Sequence, residues 1–225
     1  MVLSDPLIEL NDIDFSYSSE APVLRGVNFC LQDGARVALK GGNGAGKTTL
    51  FHLILGLITP SAGSIAVMGR RCSREEDFVH ARRHVGLVFQ DPDDQLFCPT
   101  VVEDVAFGPL NMGLRSAEAL ERAEDTLDAL GIYHLRDRVP YRLSGGEKRL
   151  VSVATVLAMK PDVLLLDEPT AGLDQSVADR LIQVISYPCK GLLLISHDPG
   201  ISSALTNRAF ILKNHNIEED SGSPE

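Results

Sequence analysis

The chain has few cysteines and no apolar run of membrane-spanning length. Its four cysteines, Cys30, Cys72, Cys98 and Cys189, show no C-x-x-C spacing, so neither a zinc site nor a redox site is indicated. The longest apolar runs suit strands, whereas a membrane helix needs about 18 apolar residues. No basic segment followed by an apolar stretch opens the sequence. We therefore expect no secretory signal and a protein kept in the cytosol.

Positive charge is also scarce. The chain has 21 Lys and Arg against 31 Asp and Glu, a net charge of -10. A protein that binds duplex nucleic acid usually has a basic face, so this charge argues against a nucleic-acid partner. It does not argue against a nucleotide, because phosphates are met locally by a lysine, backbone amides and Mg²⁺. A length of 225 residues with 44% hydrophobic residues fits one compact domain.

A Gly-rich loop between a strand and a helix predicts a nucleotide-binding site. Strand residues Arg36–Leu39 lead into Gly41–Thr48, which matches G-x-x-x-x-G-K-[ST], and a helical pattern covers Thr48–Leu55. In this motif the backbone amides surround phosphate oxygens, Lys47 contacts the β- and γ-phosphates, and the Thr48 hydroxyl binds Mg²⁺. The candidate ATP-binding residues of this segment are Gly41, Asn43, Gly44, Ala45, Gly46, Lys47, Thr48 and Thr49.

Two adjacent carboxylates follow an unbroken apolar strand. The run Val163–Asp167 is typical of a strand buried on both faces of a parallel sheet. Asp167 at its end is the candidate Mg²⁺ ligand. Glu168 points the other way and is the candidate general base that polarises the attacking water. Without a phosphate loop upstream, such a pair would be an ordinary strand end.

The element Leu143-Ser144-Gly145-Gly146-Glu147 narrows the class furthest. It precedes a predicted helix over Gly145–Met159 and follows a largely helical stretch over Thr100–Leu130. Together with the phosphate loop, Gln90, the Asp167-Glu168 pair, Gly172-Leu173-Asp174 and His197, it occurs in the order found in ABC transporter ATPase subunits. The chain resembles that family over roughly residues 8–212.

The resemblance implies an α/β fold and a set of boundaries. We expect the P-loop NTPase core of an ABC ATPase, with a mostly parallel sheet, an N-terminal antiparallel β subdomain and an inserted α-helical subdomain. Residues 1–225 would form a single ABC ATPase domain, with the RecA-like core at about 1–90 and 160–213 and the helical subdomain at about 91–159. The stretch Arg208–Leu212 reads as a last edge strand. The acidic, Gly- and Ser-containing segment 214–225 is expected to be a disordered tail.

The same resemblance assigns roles to single residues. Ser144, Gly145 and Gly146 would bind the γ-phosphate of ATP held by a partner's phosphate loop, so a complete site needs two chains. Tyr17 would stack on adenine, the alternative being a core aromatic at a strand end. Gln90 would sense Mg²⁺ and the γ-phosphate, and His197 would contact the γ-phosphate. The predicted catalytic residues are Glu168, His197 and Gln90, the predicted metal ligands are Thr48, Gln90 and Asp167, and Asp174 would couple the two sites of the dimer.

A finer likeness concerns the segments 88–97 and 100–109. They look like the glutamine loop of energy-coupling-factor transporter ATPases, which take up cobalt, nickel or vitamins. Asp93 and Asp94 would then face a transmembrane subunit, although a solvated acidic loop is the simpler alternative. We favour cobalt or nickel uptake because the ATPase stands alone in a short chain, with vitamin uptake as the alternative. The expected partners are an identical or a second ABC ATPase and integral membrane subunits, at the cytoplasmic side of the membrane.

Three other functions stay open on the sequence. A soluble ABC protein acting on nucleic acid usually carries two cassettes or a long coiled-coil insertion, and a P-loop kinase would not need Leu-Ser-Gly-Gly. The ATPase could also power export rather than import, although the likeness of the glutamine loop favours import. Two departures affect the signature helix, since relatives often carry Gln at the position of Glu147 and Arg at that of Leu150. The segment 174–191 is also a few residues shorter than expected.

Overall fold

A computed structural model describes residues 5–18, 21–186 and 189–220 of the chain. Two sheets and seven α-helices make up this part of the protein. The contacts divide the chain into two units, and each is described by itself. The first comprises Met1–Val85, Asp162–Leu165 and Cys189–Glu225, and the second comprises Gly86–Pro161 and Leu166–Pro188. The second unit thus extends beyond the helical subdomain expected at about 91–159.

An antiparallel sheet of four strands lies in the first unit. Its strands are β1 (Ile8–Ser18), β2 (Ala21–Leu31), β4 (Ala62–Val67) and β5 (Arg70–Cys72), in the order β2-β1-β4-β5. Strand β1 alternates buried and exposed residues, and its pairing slips near Asn11, as its sequence pattern predicts. This sheet is the antiparallel β subdomain expected from the sequence.

The second sheet is mostly parallel, as expected. Its six strands have the order β10-β9-β3-β8-β7-β6. Strand β3 pairs in parallel with β8 and β9, whereas β9 and β10 are antiparallel. Every residue of β6, β7 and β8 is buried, which explains their unbroken apolar sequences. The ranges are β3 (Arg36–Lys40), β6 (Val85–Val88), β7 (Val163–Asp167), β8 (Gly191–Ile195), β9 (Arg208–Lys213) and β10 (Asn216–Glu219).

Strand β10 corrects two expectations. Strand β9 is not an edge, because it pairs with β3 on one side and β10 on the other. Residues 214–219 are not a disordered tail, while residues 221–225 lie outside the described part. Asn214 and His215 have φ of 51° and 66°, the geometry of a two-residue type I′ hairpin turn. Ile217 is the buried apolar residue of β10. Its neighbours in the strand are polar or acidic, so hydrophobic periodicity does not predict the strand.

The helices lie where the apolar periodicity predicts them, with two that the sequence reading did not include. Helix α1 follows the Gly-rich loop, while α3, α4, α5 and α6 lie in the second unit. Helices α2 and α7 were missed, since α2 buries only Ala81 and α7 has seven residues. The ranges are α1 (Lys47–Ile54), α2 (Glu75–His84), α3 (Val101–Asn111), α4 (Ser116–Ala129), α5 (Gly145–Leu157), α6 (Gln175–Ile185) and α7 (Pro199–Leu205). Within the described ranges, no helix has both the length and the apolar character needed to cross a membrane.

The irregular pairing of β1 generates a stability prediction at Gly63. This glycine has φ of 94°, and an added Cβ would lie 2.5 Å from the carbonyl oxygens of Asn11 and Asp12. We expect Gly63→Ala to lower the free energy of unfolding by roughly 2–4 kcal/mol, combining left-handed strain with a backbone clash. Gly34→Ala is the control, because Gly34 has φ of 78° and open space around its Cβ position. It should cost only about 1 kcal/mol, and equal losses in urea unfolding would contradict the clash.

Candidate active site

The phosphate loop lies between β3 and α1 and depends on close backbone packing. Gly46, the N-cap of α1, has φ of 103°, and a Cβ there would lie 2.8 Å from Val23 Cγ1. With no side chain, Gly46 cannot cap the helix. The positive end of the helix dipole lies at this N-terminus. Such a helix start is suited to an anion.

Lys47 lies across the loop that precedes it. Its Nζ donates to the carbonyl oxygens of Gly41, at 2.8 Å, and Gly42, at 2.9 Å. The ammonium group is thus held at the loop, where oxygens of a phosphate can replace the two carbonyls as acceptors. The donor set of lysine, helix amides and the Thr48 hydroxyl fits a phosphate with its cation.

A cavity of about 800 Å³ in the first unit brings two of the predicted elements together. Gly41 and Lys47 line it from the phosphate loop, and His197 lines it from the segment after β8. His197 is exposed at the start of a turn in which the Asp198 carboxylate accepts from the amide of Gly200 at 2.7 Å. The first unit therefore places His197 and Lys47 around one polar cavity.

Tyr17 lies on the surface rather than in the core. Its side chain is 66% exposed, and its ring meets that of Phe15 edge-on at a centroid distance of 4.9 Å. The Tyr17 hydroxyl lies 3.1 Å from Thr49 Oγ1, on the first turn of α1. Tyr17 and Thr49, both predicted from the sequence, are thus in contact, and the ring remains accessible.

The two carboxylates of the second unit differ in burial and backbone geometry. Asp167 is buried at the end of β7, while Glu168 is half-buried. Glu168 has φ of 49°, in the left-handed region that non-glycine residues rarely adopt. Such strain costs on the order of 1–3 kcal/mol and tends to occur where function needs a particular side-chain direction. Asn214 and His215 share a positive φ in a hairpin turn, so the geometry of Glu168 gains its meaning from its place directly after Asp167.

Ser144 is the N-cap of α5 and shares a reciprocal capping box with Glu147. The Ser144 amide and hydroxyl each donate to Glu147 Oε2 at 2.7 Å, and the Glu147 amide donates back to Ser144 Oγ at 3.3 Å. The bonds from Ser144 lower the pKa of Glu147, so the carboxylate is charged at neutral pH. Ser144 and Gly145 are exposed. The helix start is therefore ordered and accessible, with a negative charge where relatives often carry Gln.

The segment after β6 carries Gln90 and a short 3₁₀ turn. Gln90 is exposed, and the Asp91 carboxylate caps the turn by accepting from the Asp93 amide at 3.0 Å. Asp174 caps α6 by accepting from Val177 N at 3.0 Å, and its hydrogen bond from the Ser176 hydroxyl is the main reason its pKa is lowered. A structural role thus accounts for the interactions Asp174 makes within this chain.

Two residues that the sequence reading left without a role connect this segment to α5. Gln95 accepts from the amide of Phe89 and donates to α5, and Arg149 of α5 donates to the carbonyl of Phe89. In the sequence, Arg149 is a basic residue that adjoins Leu150 in a helix whose other buried residues are mostly apolar. Hydrophobic periodicity alone assigns such a residue to solvent, although Arg149 is buried.

Comparison with known proteins gives one family. A model described as ABC transporter matches residues 24–171. The chain is similar to the energy-coupling factor transporter ATP-binding protein EcfA of Methanothermobacter thermautotrophicus, with 46% identity over 92% of this chain and 68% of that protein. Among solved structures it is similar to cbiO1 of Clostridium perfringens, part of the ABC transporter complex cbiONQ. That match has 34% identity, a TM-score of 0.81 and coverage of 95% of this chain and 87% of that one.

A second solved structure supports the same fold. The bacterial ABC transporter cassette MJ0796, determined as a dimer, has 25% identity and a TM-score of 0.84. The match covers 96% of this chain and 100% of that one. The architecture expected from the sequence is therefore confirmed.

The position of Lys47 generates a binding prediction with a matched control. We expect Lys47→Ala to weaken binding of a fluorescent ATP analogue by at least about 100-fold, because a charge-assisted contact to phosphate is lost. Lys190→Ala, in the same unit but outside the lining of the cavity, removes an exposed lysine whose 2.9 Å ion pair is with Asp162. It should change affinity by no more than about twofold. Equal affinities of the two variants, measured by titration, would be incompatible with a phosphate contact by Lys47.

Proposed function

We propose that this chain, which belongs to the ABC transporter family as an ATP-binding subunit of the energy-coupling-factor type, powers uptake across a membrane by ATP-driven closure of a dimer. ABC ATPases of this family bind and hydrolyse ATP in transport. The observation that carries the dimer is the presence of one phosphate loop and one exposed signature-helix start in a single chain. Two copies supply two of each, so two complete sites form only when chains pair.

The residue roles follow the donor chemistry described above. Lys47 and the amides of Gly41–Thr48 bind the phosphates, Tyr17 covers the adenine, and His197 contacts the γ-phosphate. Thr48, Asp167 and Gln90 would hold Mg²⁺, which would neutralise negative charge on the phosphate oxygens. Ser144, Gly145 and Gly146 bind the γ-phosphate held by the partner copy, using the positive end of the α5 dipole.

Glu168 is the general base of the proposed mechanism. Its carboxylate accepts a proton from the attacking water while the water oxygen bonds to the γ-phosphorus and the bond to the ADP oxygen breaks. A positioned general base contributes about 10²–10⁴ in rate. The left-handed backbone of Glu168 supports this role, because a strained residue at a strand end directs its side chain differently from the buried Asp167.

The membrane partner is proposed to dock on an apolar groove of the second unit. The groove has a volume of about 410 Å³ and lies along α3 and the start of α4. Phe97, which is 67% exposed, meets Phe107 edge-on at 4.9 Å between ring centroids. Exposed aromatic residues beside a groove are typical of a docking site. The residues lining the groove include Val102, Ala106, Phe107, Leu110 and Leu120.

Acidic residues favour a basic occupant for this groove. Glu103 lines it, and the exposed Asp93 and Asp94 belong to the turn that precedes Phe97. An amphipathic helix with apolar residues on one face and Lys or Arg at its edges matches both features. We assign that helix to a cytoplasmic segment of an integral membrane subunit, which places this chain at the cytoplasmic side of the membrane.

The transported substrate is proposed to be cobalt or nickel, with a vitamin as the alternative. The support is the likeness of segments 88–97 and 100–109 to the glutamine loop of energy-coupling-factor transporter ATPases, which take up cobalt, nickel or vitamins. Among the described residues, no cluster of His, Cys, Asp or Glu could hold a metal ion by itself. Substrate choice therefore belongs to the membrane partner, and uptake of labelled cobalt against labelled biotin by cells expressing the whole transporter distinguishes the two.

Removing the proposed base should trap the dimer. Glu168→Gln keeps the size of the side chain but cannot accept the proton, so we expect ATP binding to persist and hydrolysis to fall by about 10²–10⁴. Light scattering should show monomer without nucleotide and dimer with Mg-ATP. Lys47→Ala in the same background is the control and should remain monomeric. Hydrolysis by Glu168→Gln at the parent rate would remove Glu168 from the role of base.

Docking on the groove can be tested with two aromatic residues of matched exposure. Phe107 lines the groove and is 44% exposed, whereas Tyr133 is 40% exposed and lies outside the lining. We expect Phe107→Ser to abolish retention of a co-expressed membrane subunit on the tagged chain in detergent, and Tyr133→Ser to leave it. Thermal unfolding of both variants checks that the fold is intact. Full retention with Phe107→Ser would place the interface elsewhere.

A further inference from the structure

The backbone of Phe89 is held by two side chains, one at its N–H and one at its carbonyl oxygen. Its N–H donates to Gln95 Oε1 at 3.2 Å, and its carbonyl oxygen accepts from Arg149 Nη1 at 3.1 Å. Phe89 directly precedes Gln90, the proposed γ-phosphate sensor. One of the two side chains comes from the segment that follows Gln90, and the other comes from the signature helix α5.

Gln95 connects the backbone of Phe89 to helix α5. Its Nε2 donates to the carbonyl of Ser152 at 2.7 Å and to the hydroxyl of Thr155 at 2.5 Å. The Thr155 hydroxyl in turn donates to the same Ser152 carbonyl at 2.8 Å. Both hydrogens and the oxygen of the Gln95 amide are therefore engaged, which fixes the direction of the side chain.

A third contact ties the outer part of the loop to the same helix. Lys148, next to Arg149, forms a 2.6 Å ion pair with Asp93. Asp93 is exposed, so this pair contributes little by itself. The ion pair matters because it fixes a position, since it joins the acidic turn that carries Asp93 to the first turns of α5.

Stability alone does not explain a buried arginine at position 149. The residue is only 7% exposed, and its Nε is buried without a hydrogen-bond partner within residues 5–18, 21–186 and 189–220. Burial lowers the pKa of the guanidinium, and the carboxylates of Asp91, Asp167 and Glu168 act against that effect. Desolvating such a charge can exceed the gain from its partners, and apolar replacements of buried charges are often neutral or stabilising. The retained charge instead lies beside the proposed metal ligand and base.

We propose that Gln95 and Arg149 are positioning residues that clamp the backbone of Phe89, so that the Gln90 loop and the start of α5 at Ser144 move as one body. The clamp passes a displacement at the docking groove to Ser144 and keeps Gln90 aligned for hydrolysis. This inference rests on the proposed function for the roles of Gln90 and Ser144. The clamp itself is a property of the free chain and can be tested without hydrolysis.

Hydrogen exchange of the nucleotide-free protein tests the clamp directly. We expect Arg149→Met to raise exchange in two separate segments together, 89–96 and 144–148, by about tenfold or more. Arg142→Met, which removes an exposed arginine two residues before Ser144, is the control and should raise neither. Exchange that rises only around residue 149, or in neither segment, would overturn the clamp even if the protein hydrolyses ATP normally.

Kinetics separates a positioning role from a structural one. In Arg149→Met and Gln95→Leu we expect kcat to fall about 10- to 100-fold, while KM and the affinity for an ATP analogue change by no more than about twofold. Arg149→Lys should recover part of kcat, since its ammonium group can still reach a carbonyl. The kcat of the double variant should be no lower than that of the worse single variant, because both side chains hold the backbone of Phe89. Additive losses, or loss of ATP affinity in place of kcat, would contradict the clamp. A parent protein that neither dimerises nor hydrolyses ATP would instead contradict the proposed function.

Discussion

The N-cap of helix α1 is a glycine, and the phosphate loop depends on it. Gly46 packs too closely against Val23 to carry a side chain, so its position supplies no side-chain cap to α1. Lys47 folds onto the loop carbonyls and adds a positive charge at the positive end of the helix dipole. An anion with several oxygens suits such a helix start. The strand order around β3, with β8 and β9 as its parallel neighbours, supports this loop.

The second helix start is built in the opposite way. At α5, Ser144 and Glu147 cap the helix reciprocally, so this N-terminus carries side-chain hydrogen bonds that α1 does not have. A γ-phosphate from another copy must then compete with Glu147 for the Ser144 hydroxyl. When no nucleotide is bound, the Ser144 hydroxyl keeps its bond to Glu147, and the proposed dimer stays open. The proposed clamp on Phe89 then sets where this helix start lies relative to Gln90. Binding and release in the proposed cycle depend on these two differently built helix starts.

The sequence predicts the parts of this fold that have strong periodicity or a motif. Strands β7 and β8 and helix α5 follow from unbroken apolar runs and from a helical pattern. Strand β10 does not, because a single buried Ile217 among acidic residues gives no periodic signal. Gln95 and Arg149 escape for a related reason. Their importance comes from contacts with Phe89, Ser152 and Thr155 at distant chain positions, and a polar residue in a sequence does not reveal whether it is buried.

The central claim is that the phosphate loop of one copy and the signature-helix start of another enclose the same ATP. A disulfide cross-link between Asn43→Cys and Gly145→Cys, in a background free of the four native cysteines and carrying Glu168→Gln, tests it most directly. Both positions are exposed, and a Cβ at Gly145 meets nothing within 4 Å. We predict a cross-linked dimer that forms on mild oxidation with Mg-ATP and not without nucleotide. A cross-link that forms equally without ATP, or none when ATP is bound and the chains are dimeric, would contradict the account.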